Sequence, residues 1–585
     1  MDRRAARSTS SSSSGVSIAR RGADYFGMSG PLEFIAAAIF CVLLVALNIL
    51  NVLRGAFNSD EPAHLHVIWA WTRGLVQYRD VFSNNMPLFQ LLCAPIVALL
   101  GERPTILVWM RFLVLPMYFV GAWCTYQVGT RLFSRRAGVW ALLAVGFYGG
   151  YRSVGFEFRT DTLWTALWLL CISVLVGGAI SLRRGLVAGL LFGFCFAVSM
   201  KSVVLLISLL LSAVLLAAVG REKLSKSWRE LFQCIGAFLA MTALIPGVVM
   251  IFFAAKGVWR DFRYGVFDYN CLAVSVYRKE IACESHPAWA VIIFLTALSI
   301  VFFVARWIIR TARSSDLGFR RAFIFLICSS NLLALNLFWP PISRTYLPIY
   351  PLVFVLGSGA LLALSDGLAR SDWKVLQILR LAPLPFFVSV AELAFLIQTP
   401  TFWKDQTREE IDLLRSVLAL TKPDDYIFDC KGETIFRRRC FRPVLERIER
   451  EQIRQGLTTD NAPERCIATG TCVVGTRFIG RFSTRTREFV EANYVPVTDS
   501  LRVAGAVLRP STEKTGRFEF NVVIPARYEI ISRDSNVVGT LDGTPYKGAE
   551  FLSPGRHIFD SAAAFQNLYL LWAQAVDRGF APAFK

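Results

Sequence analysis

Charged residues are scarce in this sequence. Asp, Glu, Lys and Arg make up only 18% of its 585 residues, and 54% are hydrophobic, whereas a soluble globular protein carries roughly 25% charged residues. Acidic residues are also fewer than basic ones, 43 against 63. This composition argues against an ordinary soluble enzyme and indicates a protein that spans a membrane several times.

Several familiar site signatures are missing. None of the 13 cysteines forms a CxxC pair, which argues against a structural zinc site. No glycine-rich phosphate loop and no Ser-His-Asp pattern stands out. Asp60 and His64 share a helix face, but His66 lies off that face, and one such pair is not a metal site. We therefore expect no resident metal, and leave open whether the chemistry uses a divalent ion.

Apolar runs dominate the first 400 residues. Runs of about 18 residues or more recur, and such a run crosses the roughly 30 Å hydrocarbon layer of a bilayer. The shorter run Pro87–Leu100 carries Pro95 and is interpreted as an interfacial helix. Eleven spans are predicted: Pro31–Leu53, Thr105–Leu132, Gly138–Tyr151, Asp161–Leu182, Gly185–Met200, Val203–Gly220, Phe232–Ala255, Ala288–Ile309, Ala322–Trp339, Tyr346–Leu364 and Leu376–Gln398.

This span count also assigns the basic loops to one side of the membrane. With the N-terminus in the cytoplasm, the basic loops at 131–136, 183–184, 221–229, 310–321 and 370–374 are cytoplasmic, as the positive-inside rule expects. These loops explain the net charge of +20 without a nucleic-acid partner. The C-terminal tail and the candidate site residues then lie on the external side.

The chain divides into four parts by composition. Residues 1–30 are Ser-rich and basic, and we expect a disordered cytoplasmic N-terminus, not a cleaved signal. Residues 31–400 form the α-helical membrane domain. In the tail, residues 401–510 indicate an external α/β domain, and residues 511–585 a β-sandwich-like domain of short strands separated by turn dipeptides. The arginine run at 437–439 is interpreted as a solvated basic surface, with contact to an anionic lipid or glycan as the alternative.

Six cysteines are predicted to be external, where disulfides form. The other seven lie in apolar spans. We expect neighbours to pair, namely Cys271 with Cys283, Cys430 with Cys440, and Cys466 with Cys472.

The first candidate site is Asp60-Glu61-Pro62, directly after the first span. A structural explanation is available, because Asp60 suits a helix N-cap and carboxylates favour the positive end of a helix. The functional interpretation makes Asp60 or Glu61 a general base that takes a proton from an acceptor hydroxyl.

Ionisable residues at the ends of other spans form the second candidate site. Arg159 and Asp161 precede one span, Lys201 lies in a tight turn between two spans, and Arg344 precedes Tyr346 at the start of another. Each alone is explained equally well as an interfacial anchor. Together they predict a polar cavity at the external surface, in which cations stabilise a phosphate leaving group.

The order of these motifs resembles the GT-C class of integral-membrane glycosyltransferases. An external Asp-Glu-Pro at 60–62 is followed by an amphipathic segment, a Tyr-Arg-Asp turn at 78–80 and a Pro-Leu start to the interfacial helix at 87–88. The resemblance covers about residues 31–400. It is strongest to the branch of the protein O-mannosyltransferases, the lipid A aminoarabinose transferase and the Rgt-like galacturonosyltransferases. One departure is Asn-Asn-Met-Pro at 84–87, where relatives often carry Lys-Pro-Pro or His-Pro-Pro.

The resemblance implies an inverting transfer of a hexose or pentose from a polyprenyl-phosphate donor to a hydroxyl of a cell-envelope acceptor. The acceptor is a glycolipid, a polysaccharide or a protein, and no cofactor beyond the lipid-linked sugar is expected. The implied location is the bacterial inner membrane. The implied catalytic residues are Asp60, Glu61 and Asp161, and the implied donor-phosphate residues are Lys201, Arg344, Tyr346, Arg79 and Arg159.

Two other classes of function remain open at this point. One is a multi-pass transporter or flippase of lipid-linked glycan with an external glycan-binding tail, and the other is a non-catalytic glycan-binding protein. Transporters often show internal repeats and charged or broken helices at mid-membrane. No repeat is evident here, and the ionisable residues lie at span ends on one side, which favours the enzyme.

Overall fold

The computed structural model describes residues 18–179, 181–219, 228–272, 306, 309–338, 343–399, 403–510, 516–532, 536–562 and 568–583. The chain forms two compact units. The first comprises Met1–Ala56, Asn84–Phe89 and Val108–Gln406, and the second comprises Phe57–Ser83, Gln90–Leu107 and Thr407–Lys585. The segment that carries Asp60 therefore folds with the C-terminal tail, which the sequence did not predict.

As far as residue 397, the described part of the chain is mainly helical. Its helices there are α1 (Pro31–Arg54), α2 (Asp60–Thr72), α3 (Leu88–Leu100), α4 (Ile106–Leu132), α5 (Arg135–Phe147), α6 (Gly149–Gly155), α7 (Thr160–Val176), α8 (Leu182–Val198), α9 (Ser202–Val219), α10 (Trp228–Ala255), α11 (Trp259–Arg263), α12 (Asp316–Phe338), α13 (Tyr350–Leu368) and α14 (Leu384–Ile397). Helix α2 and most of α3 belong to the second unit.

Among the described residues, six helices are long and apolar enough to cross a membrane, namely α1, α4, α9, α10, α12 and α13. Helices α6 and α7 together qualify as a seventh span, bent by 115°. The total of eleven stays a prediction, since Ala288–Ile309 lies outside the described residues apart from 306 and 309. The predicted interfacial run corresponds to α3, whose 13 residues extend only about 20 Å.

The predicted span Leu376–Gln398 is not one continuous helix. A 3₁₀ turn occupies Leu376–Arg380, and α14 begins only at Leu384. Pro383 is the residue before α14, and Pro385 lies in its first turn. Proline lacks the N–H that an α-helix interior requires, but it is tolerated in the first turn. The two prolines therefore end one element and start the next.

Three glycines set the packing of α8 against α10. Gly185, Gly189 and Gly193 recur every four residues and so lie along one face of α8. A Cβ built at Gly185 or Gly189 would overlap the backbone of α10, and one at Gly193 would lie 2.9 Å from the carbonyl oxygen of Met241. Small residues at this spacing let membrane helices approach backbone to backbone. Helix α8 also packs against α7, and α9 packs against α12.

Within its described residues, the tail contributes five α-helices and twelve strands to the second unit. The helices are α15 (Arg408–Leu420), α16 (Arg447–Arg454), α17 (Ala462–Ala468), α18 (Thr484–Asn493) and α19 (Ala573–Asp577). The strands are β1 (Tyr426–Phe428), β2 (Arg438–Arg439), β3 (Val473–Gly475), β4 (Tyr494–Pro496), β5 (Leu501–Leu508), β6 (Arg517–Val522), β7 (Ala526–Ile531), β8 (Gly539–Leu541), β9 (Thr544–Pro545), β10 (Glu550–Leu552), β11 (Gly555–Ser561) and β12 (Leu568–Trp572).

Eight of these strands form one mixed sheet. Its order is β10-β7-β12-β5-β3-β1-β2, with β4 paired to β5. Strand β1 runs parallel to β2 and β3, and the remaining pairs are antiparallel. The predicted boundary at residue 510 falls between β5 and β6, and the large sheet includes strands from both sides of it. A second sheet has the order β6-β11-β8-β9.

The sheet is buried on both faces around β1. Ile427 packs on one face with Leu413 and Val417 of α15. Its neighbour Phe428 packs on the other face with Val474. Because side chains alternate along a strand, this short central strand places one apolar side chain in each of two cores. It also fixes the position of the loop that follows it, residues 429–435.

Candidate functional site

The first unit brings four predicted site residues into one ionic network, the Asp161 cluster, made of Glu157, Arg159, Asp161, Lys201 and Arg344. The bend between α6 and α7 places Glu157 and Arg159 in a short connection, and Asp161 in the first turn of α7. The positive end of a helix stabilises a carboxylate there. Asp161 is fully buried, so it depends on nearby cations for compensation.

Two cations hold Asp161. Lys201 Nζ lies 2.7 Å from Oδ1, and Arg159 Nε lies 3.2 Å from Oδ2. Lys201 also lies over the ring of Trp164, 5.6 Å from its centroid, a cation–π arrangement that favours the ammonium group further. The predicted association of Asp161, Lys201 and Arg159 is therefore present in the structure.

Arg344 joins the same network through Glu157. Its Nη2 lies 3.8 Å from Glu157 Oε2, and Arg159 Nε lies 3.8 Å from the same oxygen. The side chains of Lys201 and Arg344 are each about one quarter exposed, at 25% and 24%, whereas those of Arg159 and Asp161 are buried. Lys201 and Arg344 are thus the two cations of the network that reach its surface. The ring of Tyr346 is tilted against that of Tyr350, with 6.4 Å between the ring centroids.

Asp60 and Glu61 begin α2 in the second unit. Glu61 is fully buried, and its Oε1 accepts a hydrogen bond from the backbone N–H of Asn58 at 2.7 Å. In return the Asn58 side chain accepts one from the N–H of Asp60 at 3.0 Å. This reciprocal arrangement satisfies free N–H groups at the helix start. The Glu61 carboxylate therefore caps the start of α2, whereas the Asp60 side chain stays 32% exposed.

A lysine from the tail holds Asp60. Lys431 Nζ lies 2.6 Å from Asp60 Oδ1, 2.6 Å from Glu446 Oε1 and 2.9 Å from the hydroxyl of Ser59. Its side chain is only 2% exposed. Glu446 also accepts a hydrogen bond from Arg481 at 2.8 Å. We call Asp60, Lys431, Glu446 and Arg481 the Asp60 cluster.

The loop that carries Lys431 is built around strained and buried groups. Gly432 has a φ of +96°, and a Cβ there would lie 3.0 Å from the imidazole of His66. His66 Nδ1 lies 2.7 Å from the carbonyl oxygen of Ile435. Ile435 is fully buried and has a φ of +55°, which costs a β-branched residue of order 1–3 kcal/mol. Such strain persists only where the surroundings fix the backbone.

Two carboxylates in this loop have opposite pKa shifts. Burial raises the pKa of Glu433, and the neighbouring Asp429 raises it further. Burial also opposes ionisation of Asp429, but the positive charge of Arg439 and hydrogen bonds from Thr434 hold its pKa below its ordinary value. Burial lowers the pKa of His66, so its imidazole is neutral at pH 7. The ion pair of Asp429 with Arg439 and the hydrogen bond of neutral His66 with Ile435 therefore hold the loop.

The arginine run at 437–439 is not a solvated basic surface, so that interpretation was wrong. Arg437 pairs with Glu102 at 2.8 Å and Arg439 with Asp429 at 2.7 Å, and their side chains are 2% and 5% exposed. Only Arg438 is exposed. The alternation of side chains along strand β2 explains this pattern.

The predicted disulfide pairing in the tail was also wrong. Cys440 Sγ lies 3.4 Å from Cys466 Sγ, because both side chains enter the same core. Cys430 and Cys472 instead donate to backbone carbonyls at 3.5 and 3.4 Å. All four are free thiols in the structure. Cys283, the predicted partner of Cys271, lies outside the described residues.

Arg79 has a local contact. Its guanidinium donates to both oxygens of Asp80 at 2.9 and 2.8 Å, and this contact is the largest cause of the lowered pKa of Asp80. Arg79 is 54% exposed. Its assignment to the donor phosphate stays a prediction, as do the assigned roles of the other site residues.

Sequence reasoning missed Lys431 and Glu446. The tripeptide Cys-Lys-Gly after β1 carries no recognised motif, and Lys431 is 371 residues from Asp60. The available signal was weak: an Asp and a Glu flank this lysine directly after a predicted strand. Glu157 was also not among the predicted site residues.

The comparisons with known proteins agree with this architecture. Residues 84–249 match the family model described as dolichyl-phosphate-mannose-protein mannosyltransferase. ArnT from Cupriavidus metallidurans bound to undecaprenyl phosphate aligns at 12% identity and a TM-score of 0.53, over 80% of this chain and 97% of that chain. Its apo state aligns over the same shares at 11% identity and a TM-score of 0.52.

Other comparisons are weaker. The oligosaccharyltransferase of Archaeoglobus fulgidus, in complex with Zn and sulfate, aligns at 11% identity and a TM-score of 0.40, over 83% of this chain and 72% of that chain. No curated protein matches the sequence. The family model and the ArnT fold nevertheless confirm the resemblance predicted from the motifs: the chain is an integral membrane protein with the fold of the GT-C glycosyltransferases.

Proposed function

We propose that this protein transfers a sugar from a polyprenyl-phosphate donor to a hydroxyl of a cell-envelope acceptor, on the external face of a bacterial inner membrane. The donor class is supported by ArnT, which shares the fold and was solved with undecaprenyl phosphate. The observation that carries the proposal is the Asp161 cluster. It holds two partly exposed cations, Lys201 and Arg344, on buried carboxylates.

The cations suit a lipid-phosphate leaving group. As the bond between the anomeric carbon and the phosphate oxygen breaks, negative charge develops on the phosphate. Lys201 and Arg344 are fixed by Asp161 and Glu157, so little reorganisation is needed when that charge appears. Arginine also binds phosphate oxygens in a bidentate manner. We assign both residues to the donor phosphate and Asp161 to positioning Lys201.

Asp60 is assigned to the acceptor. Its carboxylate takes the proton of the acceptor hydroxyl, and the oxygen attacks the anomeric carbon as the lipid phosphate leaves with the electron pair of the broken bond. A single displacement of this kind inverts the anomeric configuration. Lys431 favours the negative charge that Asp60 needs for this step, because opposite charges at 2.6 Å attract strongly.

The test replaces Asp60 with Asn. Envelope glycans are measured by mass spectrometry in cells in which the variant is the sole copy of this protein. The general base of a transfer contributes typically 10²–10⁴-fold, so we expect the glycan product to fall by about 100-fold or more. Asp424→Asn, at an exposed position of the same unit, is the matched control. Transfer by Asp60→Asn at the wild-type rate would refute the assignment of Asp60.

A second measurement separates the two halves of the proposal. Purified Asp60→Asn should still bind undecaprenyl phosphate, whereas Lys201→Met should bind it more weakly. If Lys201→Met and Arg344→Gln both bind the lipid phosphate as the wild type does, the donor site lies elsewhere, whatever the result for Asp60.

A further inference from the structure

A second cationic cavity lies at the other end of α7. Its lining includes Arg131, Arg183 and Arg184.

The volume of this cavity is about 450 Å³, and it lies where α7 ends and α8 begins. Arg131 comes from the last turn of α4, and Arg183 and Arg184 from the first turn of α8. Helix α7 has 17 residues and is therefore about 25 Å long. The cavity and the Asp161 cluster thus lie at opposite ends of one helix, so the cavity is separate from the proposed donor site.

Two of the three arginines have neutral partners in the structure. Arg131 donates to the carbonyl oxygen and the hydroxyl of Ser173, and Arg184 donates to the carbonyl oxygen of Val174 at 3.2 Å. These carbonyls belong to the last turn of α7, where cations compensate the negative end of a helix. This compensation accounts for the position of Arg131 and Arg184, but it supplies no full negative charge.

Arg183 has no such structural contact within the described part of the chain. Its side chain is exposed and lines the cavity. Among the described residues that line the cavity, none is Asp or Glu. Three guanidinium groups therefore face one space, and an anion is the ligand that such a wall attracts.

The surroundings favour an anion attached to a lipid. Val174 and Val187 also line the cavity, and the neighbouring side chains Leu182, Leu186 and Val187 of α8 are exposed apolar groups. A free inorganic ion gains nothing from such a surface, whereas acyl chains cover it. Basic pockets between membrane helices on the cytoplasmic side are known binding places for anionic headgroups, and the positive-inside rule puts Arg183 and Arg184 on that side.

We propose that the cavity formed by Arg131, Arg183 and Arg184 binds a phosphate group, supplied by the headgroup of an anionic phospholipid. The site is independent of the transfer reaction, because it holds none of the residues assigned to donor or acceptor. Its occupant would place a negative charge among the three arginines, and its acyl chains would cover the exposed apolar side chains of α8.

The test uses the full chain purified in detergent and measures retained lipid by native mass spectrometry. The probes are phosphatidylglycerol, phosphatidylcholine and inorganic phosphate. Each basic residue near an anionic lipid surface contributes about 1 kcal/mol, so Arg183→Gln/Arg184→Gln should retain roughly 30-fold less phosphatidylglycerol than the wild type. The control is Arg370→Gln, which removes an exposed arginine from another loop.

Because Arg184 also contacts α7, the single variant Arg183→Gln is measured beside the double variant. It should lose phosphatidylglycerol while its unfolding temperature in detergent without added lipid stays that of the wild type. Equal retention of phosphatidylglycerol and phosphatidylcholine by the wild type would overturn the proposal, as would unchanged retention in both variants. Stabilisation by inorganic phosphate equal to that by phosphatidylglycerol would overturn the assignment to a lipid.

Discussion

The side chains of Lys431 and Asp60 form an ion pair across 371 residues of sequence, with 2.6 Å between Nζ and Oδ1. The contact lies within one unit, since the loop after the first span folds with the tail. A buried lysine that bridges two carboxylates is costly to place and therefore requires both partners. The tail thus supplies part of the environment of the proposed base.

Replacing Lys431 with Met should slow transfer. Met fills a similar space but removes the charge that Asp60 and Glu446 share, so two carboxylates are left without their common cation. We expect kcat to fall by about 10- to 100-fold, a little less than for loss of an electrostatic donor in contact with substrate, with a smaller change in KM.

The controls for this variant are Lys431→Arg, which keeps the charge, and Lys422→Met, which removes an exposed lysine of the tail. Lys431→Arg should recover part of the rate, and Lys422→Met should behave as the wild type. An unchanged kcat in Lys431→Met would show that Lys431 only stabilises the fold.

Asp161 and Lys201 should be strongly coupled in a double-mutant cycle. Asp161→Asn leaves Arg159 and Lys201 without their carboxylate, and loss of one partner of a buried pair costs about 3–5 kcal/mol. Because the Lys201 side chain is 25% exposed, we expect about 2–3 kcal/mol here. The free energy of unfolding in detergent measures each effect, and Asp161→Asn/Lys201→Met should lose less than the sum of the single variants by about 1 kcal/mol or more.

Asp372→Asn, at an exposed position of the same unit, provides the background for this cycle and should leave stability unchanged within about 0.5 kcal/mol. Strict additivity of Asp161→Asn and Lys201→Met would contradict the ion pair.

The sequence predicted the membrane domain well because its signals are local. An apolar run and a positive-inside loop are each readable within one stretch of chain, and charged residues at span ends pointed to Asp161, Lys201 and Arg344. These residues meet in the structure because short connections place the span ends together. The bend at residues 156–159 was not readable, since no proline marks it.

The contacts of Asp60 could not be predicted in the same way. They depend on a sheet whose central strand β1 has three residues and on a loop that continues from it. Nothing local indicates that Lys431 is buried or that Arg437 and Arg439 turn inward. A run of charged residues normally lies at a solvent-exposed surface. Here the ion pairs with Glu102 and Asp429 bury Arg437 and Arg439 instead.

His66 should make the second unit sensitive to acid. Burial lowers its pKa in the folded protein, so protonation favours the unfolded chain, whose histidine has a pKa of about 6.5. The stability due to neutral His66 is therefore complete above about pH 6.5 and is lost as the pH falls below that value. His66→Gln keeps a donor near Ile435 without titrating, and its unfolding temperature relative to wild type should rise between neutral and acidic pH.

His557 gives a comparison of opposite sign. Burial opposes its protonation, but contacts with Ser553 and Asp542 raise its pKa overall. Its contribution is present at low pH and is lost as the pH rises through the raised value. His557→Gln should therefore lose relative stability at acidic pH, where His66→Gln gains it. Equal pH dependence of both variants and the wild type would refute the assignment to His66.

Gly189 should be essential for the packing of α8 against α10. A side chain at this position would enter the backbone of α10 near Phe238, and neither backbone can yield without separating the helices. Overpacking costs typically 1–3 kcal/mol, so Gly189→Leu should lower the unfolding temperature in detergent and reduce the yield of folded protein. Gly236→Leu is the matched control on α10, since a Cβ at Gly236 has nothing within 4 Å. Because both variants add the same apolar side chain and the same helix propensity, equal stability of the two would show that the glycine face of α8 does not set this contact.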